Sequence, residues 1–252
     1  MSTFDLLTST LSSSARLWRG TLARPASRQP KALLRLYEFE ACPYCRLVRE
    51  ALTELDLDAM IFPTPRGGTR FRPEVVSRGG KAQFPYLIDP NTGDEMYESA
   101  DIIGHLYRTY ADRSPPSALQ RMAAVPSSML SSVVRAAAGA RARKSRAPAE
   151  PLELYSFESS PFSRRVRELL SELEIAYVLR NTGKAMWQDM GPPSLRRSMF
   201  PDLPVEGRNR IALLERTGKV QVPYLVDPNT GAAMFESGDI RSYLLETYAL
   251  ER

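Results

Sequence analysis

An internal repeat is the feature of this sequence that most constrains its fold. Residues 36–55 align with residues 154–173 at 12 of 20 identical positions, and residues 80–103 align with residues 218–241 at 16 of 24. The separation grows from 118 to 138 residues, so the second copy carries an insertion between 181 and 216. Such a repeat indicates two successive units of one fold. The sequence therefore predicts four segments: a leading basic helical segment (1–30), a first domain (31–113), a basic linker or helix (114–150) and a second domain (151–252).

A fainter match precedes each copy. Leu11-Ser12-Ser13, Arg16 and Gly20 face Leu130-Ser131-Ser132, Arg135 and Gly139. A serine- and arginine-rich start poor in acids is typical of a transit peptide, but a cleaved signal has no reason to recur in mid-chain. We therefore expect residues 5–23 and 127–143 to form structural helices with solvated arginines. The alternatives are a helix at a membrane interface and a tail for anionic partners.

The charge is divided unevenly along the chain. Residues 1–35 carry +5 and residues 113–149 carry +7, whereas residues 36–112 carry −5 and residues 150–252 carry −2. The repeated bodies are thus mildly acidic, which argues against nucleic-acid binding. No apolar run approaches eighteen residues, so no transmembrane segment is expected. Two cysteines three residues apart point to a reducing compartment, the cytoplasm or an organelle stroma.

The hydrophobic pattern predicts the order β-α-β-α-β-β-α in each copy. In the first copy a buried strand precedes a helix of apolar residues at helical spacing, and a hairpin turns at Asp-Pro-Asn-Thr-Gly. The predicted ranges are strand 33–39, a helix to residue 55, strand 59–62, helix 73–77, strands 86–88 and 95–97, and a last helix capped by Ser99. This order gives an α/β fold with a four-stranded mixed sheet flanked by helices, the thioredoxin architecture.

The motif Cys42-Pro43-Tyr44-Cys45 carries the chemistry of the first copy. Cys42 stands at a helix start, where N–H groups and the dipole favour thiolate over thiol, so we expect it to be a nucleophile. Arg46 and Arg49 follow in the first turns and are expected to assist. Cys45, one turn on and more enclosed, is the predicted resolving thiol. A zinc site would need further ligands, and the sequence has no second cysteine pair, so no metal is expected.

These motifs, taken in order, resemble the glutathione S-transferase N-terminal domain and the related glutaredoxins, in the tandem form with two such domains in succession. The resemblance implies glutathione as a cosubstrate, with Pro85 in a cis peptide bond. Its glycine carboxylate would need a cation, for which Arg66, Arg70, Arg72 and Lys81 are candidates. The implied glutathione-binding residues are Tyr44, Gln83, Phe84, Pro85, Glu98, Ser99 and Asp101.

The second copy replaces both cysteines, giving Ser160-Pro161-Phe162-Ser163. Ser160 resembles the serine of serine-type transferases, so this copy either binds glutathione or is kept for packing. The other residues of this possible second site are Gln221, Val222, Pro223, Glu236, Ser237 and Asp239. The insertion carries Met186, Trp187, Met190, Pro192-Pro193 and Met199-Phe200; it is either a lid or a surface loop with a few apolar anchors. His105 is expected at the surface.

The leading hypothesis is a glutathione-dependent thiol–disulfide oxidoreductase of glutaredoxin type. Cys42 would attack glutathionylated or disulfide-bearing proteins, and glutathione or Cys45 would resolve the intermediate. One alternative is a transferase that conjugates glutathione to small electrophiles, using Ser160 or Cys42. The others are non-catalytic: a module that binds glutathione or a glutathione-ligated iron–sulfur cluster, and a purely structural interaction protein.

Overall fold

Each copy of the repeat folds in the predicted order in a computed structural model that describes residues 3–190, 198–200 and 203–250. The first copy comprises β1 Leu34–Glu38, α2 Pro43–Glu54, β2 Ala59–Pro63, α3 Arg72–Gly79, β3 Tyr86–Asp89, β4 Asp94–Met96 and α4 Ser99–Tyr110. The second comprises β5 Leu152–Ser156, α6 Pro161–Glu172, β6 Tyr177–Asn181, α7 Arg208–Thr217, β7 Tyr224–Asp227, β8 Ala232–Phe235 and α8 Ser237–Tyr248. Helix α1 Thr3–Ala15 precedes the first copy, and α5 Ala118–Val134 lies between the copies. The α/β class and the thioredoxin-like unit are confirmed.

The two sheets join edge to edge into one. The strand order is β4-β3-β1-β2-β6-β5-β7-β8, and β2 pairs antiparallel with β6, so that Met60 lies opposite Val178. One apolar core runs under both copies on the face that carries α2, α4, α6 and α8. Two smaller clusters occupy the other face, around Val75 of α3 and Leu213 of α7. The sequence predicts both four-stranded units but not their fusion.

Helices α1 and α5 form a third layer. Each of them packs on the copy that it does not directly precede in the chain. Helix α1 packs on α6 of the second copy, and α5 packs on α2 of the first. The contacts correspond: Ser9 Oγ donates to the carbonyl of Pro161 at 2.7 Å, and Ser128 Oγ donates to that of Pro43 at 2.8 Å. Each leading helix thus covers the start of the other copy's first helix. None of the described helices combines the length and the apolar character that crossing a membrane requires.

Helix α1 ends earlier than predicted, α5 both begins and ends earlier than predicted, and two arginines of these segments are buried. Helix α1 ends at Ala15 because the next turn places Leu17 and Trp18 at φ values of 51° and 56°, outside the helical region. Arg16 and Arg135 are 4% and 8% exposed. Their Nε atoms donate to Glu50 and Glu168, at 2.8 and 2.7 Å. For these two residues the prediction of solvated arginines was wrong because the partner acids lie on α2 and α6, far along the chain. Arg19, Arg141 and Arg143 are exposed.

A buried cluster of charges lies where the copies meet. Arg49 of α2 donates from Nε to Glu158 at 2.8 Å, and Arg167 of α6 donates from Nη2 to Glu40 at 3.0 Å, so each pair joins one copy to the other. The arginine–glutamate cluster consists of Arg46, Arg49, Arg164, Arg167, Glu38, Glu40 and Glu158, all 3% exposed or less. Arg49 and Arg167 pair with these acids, whereas Arg46 donates to Ser131 and Arg164 to Ser13. Buried charges are costly unless they are paired or hydrogen-bonded.

His105 is buried, contrary to the prediction that it lies at the surface. Its Nε2 is 2.8 Å from Asp89 Oδ2, which also accepts a 2.6 Å hydrogen bond from Tyr110. In the second copy Tyr243 and Tyr248 bind Asp227 in the same way. A tyrosine replaces the histidine without loss of the arrangement, so His105 has a structural role in holding the Asp89 turn.

Gly139 lies at a close contact between the two copies. It has φ +81°, and an added Cβ would lie 2.9 Å from Glu40 Cβ and 3.2 Å from Glu168 Cα, whereas Gly67, at φ +77°, has nothing within 4 Å. Both substitutions incur the same backbone strain, but only one overpacks the interface. We expect Gly139→Ala to lower the free energy of unfolding by about 1–3 kcal/mol more than Gly67→Ala does, measured by urea denaturation. Equal losses would contradict the described contact.

Candidate functional site

Cys42 is the N-cap residue of α2, where Pro43 occupies the first turn. Proline suits this position because its missing N–H would have no partner in the helix. The backbone N–H of Cys45 donates to Cys42 Sγ at 3.3 Å, and Sγ lies 4.0 Å from the carbonyl oxygen of Phe84. Cys42 is 4% exposed and Cys45 is fully buried. The structure therefore brings a nucleophile position, a second thiol and the predicted cleft residue together.

The two thiols differ in acidity. Burial alone would raise the pKa of Cys42, but hydrogen bonds from Cys45 and from the backbone N–H of Tyr44 outweigh that effect and lower it. Burial raises the pKa of Cys45 well above its ordinary value, and the negative charges of Cys42 and Glu38 add to this rise. The pKa of Cys42 is thus lowered and that of Cys45 is raised, which is the difference expected between an attacking and a resolving thiol.

Arg46 and Arg49 do not assist Cys42 in the predicted way. Arg46 Nη1 donates to Ser131 Oγ of α5 at 2.7 Å, and Arg49 is bound to the acids of the arginine–glutamate cluster. Hydrogen bonds within the first turn of α2, not these side chains, lower the pKa of the Cys42 thiol. The expectation was wrong because the arginines lie on the helix face that the third layer and the second copy cover.

The predicted cleft element next to Cys42 is formed. The Phe84–Pro85 peptide bond is cis, as expected. The side-chain amide of Gln83 donates to the carboxylate of Glu98, which ties the proline loop to the start of α4. Glu98 has φ 63° and ψ 117°, a conformation that ordinary residues rarely adopt and that costs about 1–3 kcal/mol. Glu236 of the second copy has the same conformation, so this strain belongs to the frame that both copies share.

The start of α4 differs slightly from the prediction. Glu98, not Ser99, occupies the N-cap position, and Ser99 is the buried first residue of the helix. Asp101 is exposed in the first turn, and Tyr44 is 42% exposed beside Cys42. The helix start therefore still presents N–H groups next to the Gln83–Glu98 pair, an arrangement suited to a carboxylate.

Among the four candidate cations of the first copy, Arg72 is the best placed. Its guanidinium carbon lies 4.8 Å from the ring centroid of Phe84, and its Nε donates to the carbonyl of Pro65 at 2.8 Å. The guanidinium of Arg70 instead donates to the backbone carbonyls of Leu173 and Glu174 in the second copy. Lys81 lies over the ring of Tyr97 at 4.6 Å, and Arg66 is exposed. Only Arg72 stands against the cleft residue itself.

The second copy repeats the frame of the site without its thiols. Ser160 is 2% exposed and caps α6, accepting from the backbone N–H of Ser163 at 3.2 Å. The Val222–Pro223 bond is cis, and Gln221 donates to Glu236, which has φ 65°. Glu236 again precedes the first helical residue, Ser237, and Asp239 is exposed in the first turn of α8.

Charged side chains engage the binding elements of the second copy. Arg165, which replaces Leu47, donates to Ser237 Oγ at 3.3 Å and to Asp5 of α1 at 2.6 Å. Arg210, the counterpart of Arg72, forms a buried ion pair with Asp189 of the insertion. Arg210 and Ser237, the counterparts of Arg72 and Ser99, are thus both bound to side chains of the protein itself.

The insertion is anchored at its start. Lys184 forms a β-bridge with Leu22, and a short 3-10 helix at Trp187–Asp189 supplies the partner of Arg210. Trp187 is 66% exposed and its ring meets that of Phe200 edge-on at 6.2 Å. Met186 is half-buried, and Met190 and Met199 are exposed; Pro192 and Pro193 lie outside the described residues.

Sequence reasoning missed Glu38, whose negative charge raises the pKa of both thiols. It is the last residue of β1, is 2% exposed and binds Arg49. A signal was available, because the repeat aligns Glu38 with Ser156, so the acid accompanies the cysteine-bearing copy only.

Alkylation across a pH series tests the difference between the thiols. With limiting iodoacetamide and mass mapping, we expect label on Cys42, with a midpoint below that of glutathione in the same buffer. The Cys42→Ser variant serves as the control, and its remaining Cys45 should react slowly because its pKa is raised. Preferential labelling of Cys45, or a Cys42 midpoint equal to that of glutathione, would contradict the assignment.

Comparison with known proteins agrees with the repeat. The sequence profile described as glutathione S-transferase, N-terminal domain matches residues 36–114 and again residues 154–252. Searches of curated proteins and of solved structures gave no match. The two matches cover more than half of the chain, and they coincide with the two thioredoxin-like units. The chain therefore belongs to the glutathione S-transferase N-terminal domain family and carries two copies of that domain in tandem.

Proposed function

We propose that this protein is a glutathione-dependent thiol–disulfide oxidoreductase whose reaction takes place in the first copy. The observation that carries the proposal is the thiol pair, in which Cys42 has a lowered pKa and Cys45 a raised one, beside the cis-proline cleft. A thiolate next to a protonated, buried thiol suits disulfide exchange, whereas conjugation to an electrophile needs no second thiol.

In the proposed reaction the Cys42 thiolate attacks the glutathione sulfur of a glutathionylated protein. The protein thiolate leaves and takes a proton from solvent, and Cys42 becomes joined to glutathione. A second glutathione, as thiolate, then attacks this mixed disulfide and releases glutathione disulfide and the Cys42 thiolate. Alternatively Cys45 attacks Cys42, which releases reduced glutathione and forms the internal disulfide.

Three elements of the first copy support glutathione as the cosubstrate. The backbone of Phe84 next to cis-Pro85 presents an edge for main-chain pairing. Glu98 and the start of α4 offer N–H groups for the γ-glutamyl carboxylate. Arg72, stacked on Phe84, supplies the cation for the glycine carboxylate.

The second copy is proposed to act as a scaffold. Ser160 cannot exchange disulfides. Arg210 pairs with Asp189 of the insertion, and Ser237 accepts a hydrogen bond from Arg165 of α6, which also binds Asp5 of α1. Binding glutathione there would require these internal pairs to be broken. The second copy instead completes the arginine–glutamate cluster and the shared core of the first.

The repeat supplies a matched control for the test of this function. With a glutathionylated peptide and glutathione as reductant, we expect Cys42→Ser to abolish turnover and Ser160→Ala, the same position in the second copy, to leave it unchanged. Cys45→Ser should retain turnover because glutathione itself resolves the intermediate. Full activity of Cys42→Ser would exclude the proposal. Conjugation of a small aryl halide without any peptide reduction would favour the transferase instead.

A further inference from the structure

The third layer turns an apolar face toward solvent. Its inner side is lined with small residues, since Ser9, Ser12 and Ser13 of α1 are buried against the rest of the protein. Three large apolar residues of α1 lie on the opposite side at helical spacing, each more than half exposed: Phe4, Leu7 and Leu11. A helix side that meets only water normally carries charged or polar residues. This side of α1 is therefore suited to contact with an apolar partner.

Helix α5 repeats this arrangement next to α1. The two helices run antiparallel, because Ser12 meets Ser131 where they pack together and Arg16, further along α1, reaches the carbonyl of Ala124. Four large residues of α5 are more than half exposed on the side away from its buried residues: Leu119, Met122, Leu130 and Val133. Since the helices lie side by side, these four residues and the three of α1 form one surface, which we call the outer face.

The charge around the outer face is positive. Each helix ends in a turn with positive φ values, after which exposed arginines follow: Arg19 after α1, and Arg141 and Arg143 after α5. Because the helices are antiparallel, these arginines follow opposite ends of the outer face. Helix α5 contains no acidic residue, and the one acid of α1, Asp5, is paired with Arg135 and Arg165. The third layer therefore complements a negatively charged partner.

An open hollow adjoins the end of the outer face at α5. It has a volume of about 490 Å³ and begins at Ala136 and Ala137, directly after the helix. Arg141 and Arg143 both line it. Arg143 also pairs with Glu172 at 2.8 Å, whereas Arg141 forms no ion pair within the described part of the chain. Guanidinium groups bind phosphate through charge-assisted hydrogen bonds. An anion-binding position thus lies next to an apolar surface, the combination that a phospholipid matches.

Charge distinguishes a lipid surface from a second copy of this chain. In a two-fold dimer formed through the outer face, the same surface would meet itself. The arginines at its ends would then face other arginines. An anionic bilayer instead places phosphates opposite the arginines and accepts the apolar side chains between them.

We propose that the outer face docks this protein on the surface of an anionic membrane. Helices α1 and α5 lie in the plane of the interface, with their apolar side chains among the acyl chains and Arg19 and Arg141 at the phosphates. Trp18 occupies the turn between α1 and Arg19, a boundary position that tryptophan favours in membranes. The protein binds on the bilayer in this arrangement and does not cross it. The inference does not depend on the proposed function.

Flotation with lipid vesicles tests the docking. We expect the whole chain to float with vesicles of phosphatidylcholine and phosphatidylglycerol, and to bind vesicles of phosphatidylcholine alone much more weakly. Added salt should weaken binding to the anionic vesicles, because it screens the attraction between the arginines and the phosphates. Failure to bind the anionic vesicles, or equal binding to both compositions, would overturn the proposal.

Single substitutions locate the docking surface. Leu130→Glu should weaken binding to the anionic vesicles by about tenfold or more, since it replaces an apolar contact with a negative charge. Arg141→Gln should weaken it about fivefold. The matched control is Val76→Glu, which adds the same charge at an exposed position of α3, on the other face of the sheet, and should leave binding unchanged. Equal losses in Leu130→Glu and Val76→Glu would contradict the assignment.

Tryptophan fluorescence tests the same surface without altering the outer face. Trp18 and Trp187 are the two tryptophans of the sequence, so Trp187→Phe leaves Trp18 as the reporter. Lipids brominated on their acyl chains should quench Trp18 when the anionic vesicles bind. Binding without quenching would mean that another surface docks, and the proposal would fail. A dimer that Leu130→Glu dissociates, in a chain that binds no vesicles, would assign the outer face to self-association instead.

Discussion

The ion pairs that cross from one copy to the other are the interaction on which this structure depends. Arg49 reaches Glu158 and Arg167 reaches Glu40, and all four side chains are nearly inaccessible to water. Removing one partner from such a pair typically costs about 3–5 kcal/mol, because the remaining charge stays buried. Each arginine also pairs with an acid of its own copy, Arg49 with Glu38 and Arg167 with Glu158, so the cluster continues through both copies. The joined sheet, the shared core and the packing of α1 and α5 hold the two copies in the same arrangement as these ion pairs.

A symmetric scaffold carries an asymmetric site. Both copies keep the cis-proline loop, the Gln–Glu pair and the strained residue before the last helix, which shows how much of the frame is structural. The first copy adds Cys42, Cys45 and Glu38 and leaves Arg72 against the cleft. The second replaces the thiols with serines and binds Arg210 to Asp189. On the proposed function, the second copy supplies packing while the first retains the two thiols.

The sequence predicts the helices and strands of each copy and the loops that form the site. It does so because the hydrophobic period, the turn residues and the local motifs depend only on residues close together in the chain. It does not predict which surfaces meet. Arg46 and Arg49 lie opposite the apolar face of α2, a pattern that ordinarily indicates solvent, yet α5 and the second copy cover them. His105 was assigned to the surface for the same reason, since its partner Asp89 lies on another element. Comparing the copies residue by residue would have singled out Glu38.

The stoichiometry of glutathione binding tests the central claim, that one copy binds and the other supports. Calorimetry with reduced glutathione should give one site per chain. Binding should be lost in Glu98→Ala and retained in Glu236→Ala, which makes the same change in the second copy. Two sites per chain, or loss of binding in Glu236→Ala with Glu98→Ala unaffected, would contradict the account.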